Sequence, residues 1–146
     1  MTTKAEFNAE EWSTIVSGPF IAGLTVITAD RGGSIRETVA IAKVFAEAKQ
    51  AGDKLELINE LLGERPNTET LKDESANPEG ALGEALAILD SKATPEEVEA
   101  YKQLCLEIAQ RVAERTKSGD FLGIGGERVS SDEQAALERL RATLGL

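Results

Sequence analysis

The chain has no histidine, one cysteine and only six aromatic residues among 146. Each scarcity removes a class of function. Histidine is the side chain that ordinarily titrates near neutral pH and the commonest metal ligand, so its absence excludes nucleophile–histidine triads and weakens any case for general-base catalysis. Cys105 has no partner in the chain with which to close a disulfide. Paired carboxylates for glycoside chemistry would need a cleft with aromatic stacking platforms. Phe7, Trp12, Phe20, Phe45 and Tyr101 all fall at helix-face positions, which leaves almost nothing to line one.

Positive charge is also short. Sixteen Lys and Arg face 26 Asp and Glu, for a formal net charge of -10. A field of that sign repels phosphate backbones and anionic lipid surfaces, so neither nucleic acid nor membrane is expected as a partner. Residues 1–8 lack a basic segment followed by an apolar one, and the expected location is the cytoplasm. Residues 13–29 carry no charge, yet they include three threonines, two serines, two glycines and a proline. Such a composition suits a buried bundle helix whose small residues let neighbours approach, rather than a membrane span.

Apolar residues recur at intervals of three and four, and strand-like alternation is hard to find. The reading is all-α: a compact antiparallel bundle of five to six helices forming one domain over residues 1–146. A first helix opens at Asn8, with Glu11 completing the boundary and Phe7 and Trp12 placed as a hydrophobic staple. Its stripe runs through Ile15, Val16, Phe20, Leu24 and Ile27, and the loss of a donor at Pro19 predicts a break near residue 18. Ser34 and Glu37 box a second helix that buries Ile35, Val39, Ala42, Phe45 and Ala46. Asp53 and Glu56 start a shorter one with Leu55, Ile58, Leu61 and Leu62 on one face, and Gly63 closes it.

Residues 64–78 hold two prolines and one large apolar residue, Leu71, and read as a loop. After Pro78 a helix carries Leu82, Ala85, Leu86 and Leu89. The clearest element follows. Thr94 caps it, Pro95 takes its first turn and Glu97 completes the box, after which Val98, Tyr101, Cys105, Ile108 and Val112 repeat at helical spacing towards Lys117. This long helix is expected to pack against the first. A last helix after Ser130, boxed with Glu133, buries Ala136, Leu137, Leu140 and Leu144.

Few residues remain for chemistry. Gly119, Gly123, Gly125 and Gly126 lie in SGDFLGIGGERVS, but no Walker lysine follows and no strand precedes, so the segment reads as a turn that tucks Phe121, Leu122, Ile124 and Val129 inward. Asp30 with Glu37, in ADRGGSIRETV, and Asp132 with Glu133 present carboxylates at glycine turns that could attract a hard cation. Helix capping explains Glu37 and Glu133 without one. Cys105 sits on the apolar stripe as a small hydrophobe.

The pattern ITADRGGSIRETVAIA resembles the acidic turn of tellurite-resistance B-type (TerB-like) helical domains, in which an Asp-Gly pair precedes a capped helix bearing a glutamate. The resemblance covers about fifteen residues at each of two places, with Asp30 and Glu37 the matching positions. It implies an all-helical fold and a bacterial stress context. No catalytic residue, cofactor site or metal ligand is assigned. The expected function is a non-catalytic helical interaction or scaffolding domain whose partner is a protein or a second copy of itself, a homodimer being the commonest such assembly. The alternatives are a cation-responsive TerB-like accessory domain using Asp30 and Glu37, and a small-ligand binder closed by the 64–78 loop.

Overall fold

The computed structural model describes residues 4–31, 35–51, 56–64, 69, 73, 76–120 and 131–146. Of these, residues 4, 27–31, 35–40, 42, 51, 114–120 and 131–133 are described by backbone alone. Among the described residues, a short 3-10 turn, Lys4–Glu6, leads into six α-helices: α1 (Ala9–Arg31), α2 (Ile35–Ala51), α3 (Glu56–Leu62), α4 (Pro78–Lys92), α5 (Pro95–Asp120) and α6 (Ser131–Leu144). The all-α bundle is as the periodicity requires, and α1 lies at its centre, packed most extensively on α5 and α4.

Several boundaries follow from local chemistry. At the start of α1 the Asn8 amide donates to Glu11 Oε1 at 3.0 Å while the Glu11 amide donates to Asn8 Oδ1 at 2.8 Å, so two donors that a helix start leaves free are both satisfied. The staple forms beside it, with Phe7 and Trp12 ring centroids 5.7 Å apart. Thr94 and Glu97 make the same reciprocal pair at α5, at 2.9 and 3.2 Å, and Glu97 is buried by it. Asn77, which the sequence reading passed over, caps α4 by accepting from the Gly80 amide at 3.3 Å, with Pro78 in the first turn.

The end of α6 is a Schellman turn. Leu146 N donates to Arg141 O at 2.9 Å, Gly145 N donates to Ala142 O at 3.1 Å, and Gly145 takes a φ of 77°. A side chain at that φ would be strained, which is why glycine stands there.

The helices enclose one apolar core. Val98, Tyr101, Cys105, Ile108 and Val112 are all buried along α5, joined by Leu104, Leu106, Ala109 and Ala113. Leu57, Ile58, Leu61 and Leu62 are buried on α3. Directions follow from side-chain neighbours. Glu11 meets Lys92 while a Cβ at Gly18 would touch Leu82, so α1 and α4 run antiparallel. Tyr101 reaches Ile15 and Val112 lies by Gly23, so α5, returning after a two-residue turn, runs in the sense of α1.

Three expectations are corrected. On α2 the buried positions with described side chains are Ile41, Val44, Phe45 and Ala48, whereas Ala46 is exposed. Ile41 anchors a stripe that spacings of three and four carry to 44, 45 and 48, and 46 points away from it. On α5 the helix continues through Gly119 to Asp120, beyond the expected end at Lys117. Within the 64–78 loop, Glu69 and Asp73 are helical and exposed, and residue 78 already belongs to α4. The other loop positions at 65–68, 70–72 and 74–75, and the glycines at 123, 125 and 126, lie outside the described residues.

Candidate functional site

The most unusual chemistry in the interior lies where α1 meets α5, and the break expected in α1 is not there. No break occurs near residue 18: α1 is continuous from Ala9 to Arg31 with Pro19 inside it. A proline at that position has no amide hydrogen, so the carbonyl four residues earlier, on Ile15, loses its helical donor. Tyr101, fully buried on α5, supplies the substitute, its hydroxyl donating to Ile15 O at 2.7 Å. Gly18 makes the approach possible, because a Cβ there would overlap the Tyr101 hydroxyl. The Gly-Pro step and the tyrosine are therefore one unit: the proline opens an acceptor, the glycine clears the path, and the phenol fills it. An unpaired buried carbonyl costs about 1–3 kcal/mol, which this contact avoids.

Of the polar neighbours of the unit, Ser17 and Thr25 are engaged in structure, whereas the buried Ser13 hydroxyl has no hydrogen-bond partner among the described residues. Ser17, buried, donates its hydroxyl back to Ser13 O at 2.9 Å, and Thr25 donates to Ile21 O at 2.8 Å. Cys105 lies one turn beyond Tyr101 on the same buried face of α5. Burial pushes the Cys105 thiol far above its ordinary range, and Tyr101 offsets only part of that. A thiol held protonated in an apolar core is a poor nucleophile. In native protein, a disulfide-exchange reagent that reports free thiols should label Cys105 only as fast as the fold opens. Stoichiometric labelling within the mixing time, without denaturant, would contradict this placement.

At the surface, Lys92 ties the end of α4 to the N-terminal turn. Its Nζ donates to Glu11 Oε1 at 2.7 Å and to Glu6 O at 3.1 Å, and stands 5.7 Å from the Phe7 ring centroid. The Lys92 hydrogen bond, with help from the Asn8 amide, holds the Glu11 carboxyl below its ordinary range. On the far side Arg111 pairs with Glu107 at 3.1 Å and approaches Glu47 at 3.9 Å, linking α5 to α2. These exposed pairs add little to stability.

The acidic turn singled out in the sequence is placed by backbone only. Asp30 falls in the last turn of α1 and Glu37 in the first turn of α2, on either side of the 32–34 connection, and their side chains lie outside the described residues. The same holds for Asp132 and Glu133 at the start of α6. Among the described residues there is no group of three or more Cys, Asp and Glu placed to hold a metal ion. Nor is any helix among them long and apolar enough to cross a membrane.

The solvent side of α4 is different in kind. Gly80, Gly83, Ala87 and Ser91 succeed one another at steps of three and four, all exposed, and form a flat ridge along the helix. Gly80 has an internal reason, since a Cβ there would run into the capping side chain of Asn77. Gly83 has none, as no described residue lies within 4 Å of where its Cβ would be. Glu79, Glu84 and Asp90 flank the ridge, and Leu86 and Ile88 are half-buried at its margins. The sequence reading missed this face because it followed the buried stripe alone; the signal was the spacing of the small residues.

No family model matches the chain, and neither does any curated protein or solved structure.

Proposed function

We propose that the chain is a non-catalytic helical interaction or scaffolding domain that associates with a second copy of itself through the outer face of α4. The observation supporting this reading is Gly83. A glycine inside an exposed helix costs about 0.5–1 kcal/mol relative to alanine, and here no contact among the described residues calls for it. A helix from a second copy could approach closely over Gly83 and Ala87, which is what small residues at such spacing permit. The non-catalytic part of the reading is supported separately: the hydroxyls of Ser17, Tyr101 and Thr25 serve helix carbonyls, and Cys105 is sealed in the core. The acidic flanks set a condition on the association. Like charges on Glu79, Glu84 and Asp90 would face one another across the interface, so added salt should strengthen it.

Sedimentation equilibrium of purified wild type, Gly83→Ala and Gly83→Arg tests this. Wild type should populate a dimer that grows with salt, and Gly83→Arg should be monomeric with an unchanged helical spectrum. Gly83→Ala should be about 0.5–1 kcal/mol more stable as a monomer, because the new methyl meets open space, while associating more weakly. A wild type that stays monomeric at millimolar concentration and high salt would overturn the proposal.

A further inference from the structure

We draw no further inference here: the strongest candidate, the outer face of α4 around Gly83 and Ala87 as the seat of a partner other than a second copy of this chain, belongs to the reading already given, and nothing in the structure shows what covers it.

Discussion

Replacing Gly18 by alanine should destabilise the protein by roughly 3–5 kcal/mol, the largest effect expected from the addition of a single methyl group. Alanine is ordinarily the better helix former, and at an exposed helical site the same change would stabilise. Here the new methyl would overlap the Tyr101 hydroxyl, with the ring carbon behind it at 3.0 Å and a Leu82 methyl at 3.6 Å. Tyr101 is fully enclosed, so the ring has no open side to retreat into. Two costs then add: overpacking between α1 and α5, and the loss of the Tyr101 hydroxyl's bond to the Ile15 carbonyl. Urea denaturation of Gly18→Ala should show a midpoint far below that of wild type. A midpoint at or above the wild-type value would mean that α1 and α5 do not approach as described.

The second large effect is expected at Ile108. It is fully buried in the middle of α5, one turn from both Cys105 and Val112, which are equally enclosed. Ile108→Ala removes three carbons from a site with neighbours on every side, and the hole can close only by moving whole helices. The expected loss is roughly 2–5 kcal/mol, with the helical spectrum kept in the remaining folded fraction. A loss below about 1 kcal/mol would place Ile108 at a surface, contrary to a core built around α5. The same substitution at Leu86, half-buried at the edge of α4, should cost much less.

These two sites differ in how far the sequence discloses them. Ile108 is legible, since spacing alone puts it on a stripe with Val98, Tyr101, Cys105 and Val112, and all five are buried. The caps at Asn8 and Thr94 are legible for a related reason: donor and acceptor lie three residues apart, so local order contains the whole interaction. The continuity of α1 across Pro19 is not. The group that repairs the proline gap comes from Tyr101, 86 residues away from Ile15, and no local rule reports a partner at that separation. On α2 the miss has another cause. Alanine is nearly as compatible with an exposed helix face as with a buried one, so spacing alone does not separate Ala46 from the stripe whose register Ile41 and Val44 set. The α4 face is not legible, because small exposed residues leave no hydrophobic trace, and it is the lack of any described neighbour beyond Gly83 that makes them conspicuous.

Tyr101 also bears on whether the interior performs chemistry. A buried phenol bonded to a backbone carbonyl and adjoining a thiol has the appearance of a reactive pair, yet both of these placements have a structural cause. Pro19 creates the vacant acceptor, Gly18 admits the ring, and Cys105 follows one turn later on the same apolar face. If that is the whole role of the phenol, its value should depend on the proline.

The most direct measurement is a double-mutant cycle between Tyr101→Phe and Pro19→Ala, read by urea denaturation. In the wild-type background, Tyr101→Phe orphans the Ile15 carbonyl and should cost about 1–3 kcal/mol. In the Pro19→Ala background, the restored amide of residue 19 can serve that carbonyl, so removing the hydroxyl should cost less than half as much. An equal cost in both backgrounds would show that the hydroxyl does not stand in for the missing amide, and would contradict the account of how α1 is held to α5.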